Sequence, residues 1–312
     1  MRTLFFGSDA FALEPLDKML TGRHEVAAVV GMPDRRAGRG LALSPTPLVA
    51  RARELGLEVF QPESLSRSSF APSLEGLEVD AGVVVAYGGI IPEWLLELPA
   101  HGFVNLHPSL LPRYRGAAPV ERALMAGASV TGVTTVRMDE RLDAGDILLH
   151  VEVPIEETDT ADTLAARLSH AGASLLVETL DALERGSLTP VHQEEDNATC
   201  APSIAASEAR IDWSLPAETI DRLVRALNPQ PGAYTFFRGR RMKVLSARVT
   251  DVPPEDEPGT IMNLGKEGFI VNTGSSGLLV LTVQPEGKKP MSASEFSRGQ
   301  RLLVAESFGP ES

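Results

Sequence analysis

The chain has a single cysteine, Cys200, among 312 residues, so an internal disulfide is excluded and a thiolate metal cluster lacks ligands, which fits a reducing compartment. Long apolar runs are equally scarce. The N-terminal Met1-Arg2-Thr3-Leu4-Phe5-Phe6-Gly7-Ser8-Asp9 holds too short an apolar stretch for a secretory signal, and no later stretch approaches a membrane span. A cytoplasmic location and no membrane role are therefore expected. No repeat of fixed period is visible, and no His or Cys spacing suggests a metal site, so no metal is expected. Three glycines after the first strand, the fingerprint of a dinucleotide-dependent oxidoreductase, are missing: only Gly7 is there, followed by Ser8-Asp9-Ala10-Phe11-Ala12. The run Gly38-Arg39-Gly40 lacks the Lys-Ser or Lys-Thr of a phosphate-cradling loop and reads as a flexible basic loop.

What is present is an ordinary globular composition, 43% hydrophobic and 23% charged, at a length that suits two domains. The net charge of -13 argues against a nucleic-acid partner for the chain as a whole, but it is unevenly placed. Residues 201–312 carry 13 basic and 13 acidic side chains, so the excess of acid lies in the first 200. Arg238, Arg240, Arg241 and Lys243 fall close together, with Lys288 and Lys289 further on. Such clusters suit phosphate contacts; solvated charge on strand edges is the alternative.

Apolar strands at Arg2 to Phe6, Val26 to Val30, Val83 to Val85 and Phe103 to Leu106 alternate with amphipathic helices such as Pro47 to Leu55 and Pro119 to Ala126. Strands nearly continuous in Val, Leu and Phe indicate a mostly parallel sheet covered on both faces, an α/β, doubly wound architecture. Thr131 to Met138 and Ile147 to Val153 give two more strands, and Ala161 to Glu184 a long helix that closes a catalytic domain over residues 1–189. The Pro-rich polar stretch 190–207 reads as a linker. Residues 208–312 begin with a helix, Ala217 to Ala226. Short strand candidates follow at Ala233 to Phe237, Arg241 to Val249, Gly268 to Asn272 and Gly277 to Val283, suggesting a small, OB-like β-barrel.

Asn105 and His107 sit two apart at the end of a strand, so period-two geometry puts both side chains on one face. In an open parallel sheet, that end of the strand borders the ligand crevice. Pro108 and Pro112 stiffen the segment that follows. Arg113 and Arg115 beside it suit an anionic ligand, or pair with local acids. Downstream, Leu142-Asp143-Ala144-Gly145-Asp146 adds a carboxylate. An amide, an imidazole and a carboxylate suit acyl-type transfer to an amine.

Asn105-Leu106-His107-Pro108-Ser109-Leu110-Leu111-Pro112 with Arg115-Gly116, followed by Leu142-Asp143-Ala144-Gly145-Asp146, resembles the folate-dependent formyltransferases. Phe6-Gly7-Ser8-Asp9-Ala10-Phe11-Ala12 and Val84-Val85-Ala86-Tyr87-Gly88-Gly89-Ile90-Ile91-Pro92 match as well, and the resemblance covers nearly the whole chain. Within the family, Arg115-Gly116-Ala117-Ala118-Pro119-Val120 and Asn228-Pro229-Gln230-Pro231-Gly232-Ala233-Tyr234 are similar to the branch that formylates methionine on initiator tRNA.

The resemblance implies that Asn105, His107 and Asp143 are catalytic, with 10-formyltetrahydrofolate as co-substrate and initiator methionyl-tRNA as partner, and without an obligate protein partner. Asn105 would stabilise an oxyanion, His107 would help move the amine proton, and Asp143 would orient the imidazole. Asp146, in the same turn, competes with Asp143. Folate contacts are expected from Tyr87, Gly88, Gly89, Ile90 and Ile91, from Ser109, Leu110, Leu111 and Pro112, and from Met138, Asp139 and Glu140. Gly89 departs from relatives, which often carry a longer side chain there. The loop from Pro33 to Pro45 resembles the family's insertion toward the acceptor stem. It carries Arg35, Arg36 and Arg39, and Leu41-Ala42-Leu43 where relatives usually have lysines. With Arg238, Arg240, Arg241, Lys243, Lys288 and Lys289, these are the expected tRNA contacts. The trio leaves the acceptor open between tRNA, a glycinamide ribotide and a nucleotide-linked amino sugar. A non-catalytic RNA-binding protein is the reading from another class.

Overall fold

Arg2–Gly7 (β1) is apolar along most of its length because it lies at the centre of a sheet, where strands are covered on both faces. In the computed structural model, residues 1–37 and 42–309 are described, with the backbone alone at Arg36, Ala37 and Ala42. After β1 the chain passes through α1 (Leu13–Leu20) to β2 (Glu25–Val30), then a short antiparallel pair, β3 (Arg35–Ala37) and β4 (Ala42–Ser44). α2 (Pro47–Glu54), capped by Thr46, leads to β5 (Val59–Phe60). α3 (Arg67–Phe70), β6 (Ala81–Val85), α4 (Glu93–Leu96) and β7 (Phe103–His107) follow, then α5 (Pro119–Met125), β8 (Val130–Arg137), β9 (Ile147–Pro154) and α6 (Ala161–Glu184).

The strand order is β5-β2-β1-β6-β7-β8-β9. Pairings from β5 through β7 are parallel, whereas β7 with β8 and β8 with β9 are antiparallel. The short connection 138–146 cannot carry the crossover that a parallel pair needs. From β1 the chain builds outward through β2 to β5, then returns to the other side of β1 as β6. The order therefore reverses between β1 and β6, and ligands of such sheets sit outside the carboxyl ends of the strands at that point. The loops leaving β1 and β6 meet there, where Ser8 and Asp9 N–H donate to Ala86 O at 3.1 and 3.4 Å. One sheet face packs Leu4, Phe6, Val30, Val84 and Phe103 against Phe70, Leu95, Tyr87 and Ile91.

By its contacts the chain divides into two units. The first holds Met1–Pro119, Val130–Pro154 and Ala165–Pro202; the second holds Val120–Ser129, Ile155–Leu164 and Ser203–Ser312. Residues 190–202, read above as linker, are part of the first. Val191 exchanges backbone hydrogen bonds with Ile147 at 2.8 and 2.9 Å, and Ala201 N–H donates to Arg115 O at 2.6 Å.

The second unit is built on α7 (Ala217–Ala226), β10 (Tyr234–Phe237), β11 (Arg240–Val249), β12 (Ile261–Leu264), β13 (Phe269–Asn272), β14 (Gly277–Pro285), β15 (Met291–Ser292) and α8 (Ala293–Gln300). Its antiparallel order is β10-β11-β14-β13-β12, with β15 on β14. Arg238 and Gly239, both at positive φ, close the β10–β11 hairpin as a two-residue turn whose twist matches the strands. The sheet curls into a half-barrel, and the last described residues bridge its edges: Gly309 pairs with Phe236 and Ser307 with Thr260. Phe237, Phe269, Phe296 and Phe308 fill the interior. A capping box at Ser292 and Glu295 starts α8.

Candidate active site

Asn105 and His107 leave the same face of β7, as their alternation requires, and Asp143 meets both. Asn105 Nδ2 donates to Asp143 Oδ1 at 3.2 Å, and Gly116 N–H donates to Asp143 Oδ2 at 2.9 Å. His107 Nδ1 faces Asp143 Oδ2 at 3.7 Å, while His107 Nε2 donates to the carbonyl of Tyr114 at 2.9 Å. A carbonyl only accepts, so Nε2 carries hydrogen and the neutral ring keeps its lone pair on Nδ1, toward the carboxylate. His107 is 4% exposed and Asn105 half-buried, so the trio sits in a weakly screened setting.

Local backbone geometry makes this meeting possible. Asp143 adopts φ 51°, a left-handed conformation that Asp tolerates, and the turn lies against β8 at Gly145, where a Cβ would stand 1.8 Å from Arg137 O. Gly116 has φ 122°, and a Cβ there would come within 2.8 Å of Ala201 O. The segment after His107 is pinned from β8: Thr134 Oγ1 donates to Ser109 O at 2.7 Å and accepts from Leu111 N–H at 3.2 Å. Asp146, the rival carboxylate, instead faces His192 Nδ1 at 3.1 Å and is far more exposed than Asp143. Arg115 pairs with Glu195 at 2.9 Å and holds that carboxyl below its usual range, so its charge is taken up locally; Arg113 lies over the Tyr114 ring at 5.6 Å.

The expected folate residues fall into distinct settings. Tyr87, Ile91 and Met138 share one apolar cluster, which brings the 87–91 loop and the 138–140 segment side by side. Burial pushes the Tyr87 phenol up from its usual range. Ile90 is 92% exposed at the loop tip, an apolar surface open to a flat ligand, and Gly88 beside it takes φ 81°. At Gly89 a Cβ would stand 2.7 Å from the Tyr87 ring, so a longer side chain there would require that ring to move. Met138, Asp139 and Glu140 border a cavity of about 370 Å³ with Glu93 and Leu96, and Glu140 raises the Glu93 carboxyl above its usual range. Ser109 is fully buried with its hydroxyl donating to Arg113 O at 2.6 Å, and Leu111 is buried too. Within residues 109–112, only the half-buried Leu110 and Pro112 offer side-chain surface.

Two family models match this chain, that of the formyl transferases over residues 1–180 and that of the formyl transferase C-terminal domain over residues 203–301. The chain belongs to the formyl transferase family. It is similar to the methionyl-tRNA formyltransferase of Streptomyces avermitilis, with 44% identity over 99% of this chain and all of that protein. The methionyl-tRNA formyltransferase of Moorella thermoacetica is likewise 44% identical, over 99% of each chain. Among solved structures, HypX from Aquifex aeolicus in complex with tetrahydrofolic acid superposes with a TM-score of 0.66 at 18% identity. That match covers 98% of this chain, which spans about half (48%) of HypX, and it shows the fold alone.

In this formyl transferase the expected tRNA contacts fall in both units. Arg35 is exposed on β3, nothing beyond backbone is described for Arg36, and Arg39 lies outside the described residues. In the second unit, Arg238, Arg240, Arg241 and Lys288 line a cavity of about 670 Å³ floored by Phe237, Met242 and Phe296. Arg238 is engaged by Glu306, and Arg241 stacks 3.7 Å over the Tyr234 ring. Lys243 pairs with Tyr234 across the same hairpin, and Lys289 is exposed. Among the described residues, no three His, Cys, Asp or Glu side chains converge as a metal site, and no helix is long and apolar enough to cross a membrane. Three participants gave no signal in the sequence: the Gly116 N–H, the Tyr114 carbonyl and Gln193, which holds the Asp143 turn from behind. Each acts through backbone, or from the stretch read as linker.

Proposed function

We propose that the chain transfers the formyl group of 10-formyltetrahydrofolate to the α-amino group of methionine on initiator methionyl-tRNA, in the cytoplasm, for translation initiation. The convergence of Asn105 and His107 on Asp143 carries the reading. Similarity to methionyl-tRNA formyltransferases over 99% of the chain supports the acceptor. The folate supplies the formyl carbon, and the surfaces of Tyr87 to Ile91, Leu110, Pro112 and Met138 to Glu140 would hold its ring system.

One N–H of the Asn105 amide is committed to Asp143, which leaves the other to donate to the formyl oxygen as negative charge develops on it. His107, anchored through Nε2, presents Nδ1 to take the proton that the attacking amine releases. Asp143 then faces the imidazolium and stabilises it. The same proton can pass to the departing nitrogen, so the exchange leaves the ring neutral. The acceptor is an α-amino group with an ordinary pKa of about 7.7–8.0, so a usable neutral fraction exists at pH 7 and positioning dominates. Every charge that develops has a partner among these residues, so the reading includes no metal.

The test compares formyl transfer from 10-formyltetrahydrofolate to charged initiator methionyl-tRNA, glycinamide ribotide and a nucleotide-linked amino sugar. Rapid transfer to the charged tRNA alone is expected. Preference for a small amine would retain the chemistry and overturn the acceptor, and no transfer to any of them would favour a non-catalytic RNA-binding protein.

A further inference from the structure

Gln193 is 1% exposed, and each polar hydrogen and lone pair of its amide is in use. Its Nε2 donates to Asp143 O at 2.9 Å and to Gly145 O at 2.7 Å. Its Oε1 accepts from Arg115 Nε at 3.0 Å and Nη2 at 2.9 Å. Gln193 therefore joins two pieces of chain that each carry part of the site. One is the turn that holds Asp143 at φ 51°; the other is the segment whose Gly116 N–H binds the Asp143 carboxylate. The segment that carries it is fixed on both sides, since Val191 pairs with Ile147 and Cys200 with Arg115.

We infer that Gln193 is a positioning residue for formyl transfer, setting the Asp143 carboxylate against Asn105 and His107 by clamping the Asp143 turn to Arg115. The inference rests on the reading of the trio given above. Gln193 itself is too buried to touch either substrate, so its loss acts on the placement of Asp143 and not on binding. A misplacement of about 1 Å in a reacting group can cost on the order of 10²-fold in rate. Gln193→Leu removes all four hydrogen bonds at nearly constant volume. It should lower kcat by about 10- to 100-fold with both KM values within about threefold, the pattern of an interaction needed only at the transition state.

Gln193→Glu provides the discriminating arm. An ionised carboxylate there keeps the Arg115 contact but confronts two carbonyl oxygens without a proton to share; a protonated one can donate to one of them. The ratio of Gln193→Glu to wild-type kcat should therefore rise as pH falls, whereas the Gln193→Leu ratio stays flat. A role confined to fold stability would appear as a pH-dependent Tm of Gln193→Glu, with kcat per folded enzyme unchanged in both variants. Hydrogen exchange of amides 142–146 supplies a readout without turnover, and faster exchange there in Gln193→Leu at nearly unchanged Tm is expected. Unchanged kcat in both variants, a loss confined to KM, or unchanged exchange would overturn the clamp. If instead His107→Ala and Asp143→Asn retain full activity, the trio reading fails, and the exchange measurement still decides whether Gln193 holds the turn.

Discussion

At the scale of single residues, the two oxygens of Asp143 divide their partners: Oδ1 takes the Asn105 amide, while Oδ2 takes the Gly116 N–H and faces His107. Asn105→Asp changes almost no volume but sets a second carboxylate against Oδ1 and aims negative charge at the developing oxyanion. We expect kcat to fall by at least about 10²–10³-fold, the usual cost of losing such a donor, with folate binding retained. Activity near wild type in single-turnover assays would remove Asn105 from the chemistry. Asp143→Asn keeps the shape but loses the charge that stabilises an imidazolium, and should be strongly impaired, while Asp146→Asn, at the exposed His192 contact, should stay within about threefold of wild type because surface pairs contribute little. The reverse ranking would transfer the role to Asp146. The common face of Asn105 and His107 was legible from their spacing. The arrival of Asp143, 38 residues from Asn105, was implied only by family resemblance.

At the scale of elements, most strands and long helices were legible because their apolar periodicity is strong, and α6 runs from Ala161 to Glu184 as its pattern indicates. The strands β3, β4, β5, β12 and β15 and the helices α3, α4 and α8 were not. β3 carries two arginines, and β12, Ile261–Leu264, is only four residues long, too short for its period to show. α8, with Gly299 and two serines, depends on its capping box, a local device worth about 1 kcal/mol. The antiparallel turn between β8 and β9 shows how an element serves the site. Gly145→Ala would drive a Cβ into the backbone oxygen of Arg137, which cannot rotate aside. The turn would then shift as a unit and carry Asp143 with it. We expect a lower Tm and a fall in kcat together, whereas Gly186→Ala, strained by its φ of 64° but with open space around it, should lower Tm without affecting kcat. Equal effects of the two on kcat would contradict this account.

At the scale of the whole molecule, charge is the deciding property. A chain of net charge -13 must bind a polyanion through local cations, so the apparent tRNA affinity should fall steeply with salt, linearly on a log-log plot with a slope that grows with the number of phosphates neutralised. Arg240→Ala with Lys288→Ala should flatten that slope and raise KM for tRNA while leaving KM for the folate unchanged; an unaltered slope would exclude the 670 Å³ cavity rim as a phosphate site. Within the second unit, Glu208 is held down to about 2 by the Arg122 guanidinium and the Ala205 N–H, from an ordinary 4.5. The folded pKa lies below the unfolded one, so the contribution is full above about 4.5 and is lost as pH falls toward 2. The stability gap between wild type and Glu208→Gln, measured by urea unfolding, should therefore narrow from pH 6 to pH 3. A constant gap would show that the pair does not titrate as described.

The sequence by itself determined the alternation of elements, the absence of an internal disulfide, and the Asn105 and His107 pair, because each follows from periodicity or residue type over a few positions. Only the tertiary structure decided which carboxylate reaches that pair, that Arg115 is occupied by Glu195, and that the stretch read as linker supplies Gln193 to the back of the site. These are contacts between backbone and side chains far apart in the chain, and no local pattern encodes them.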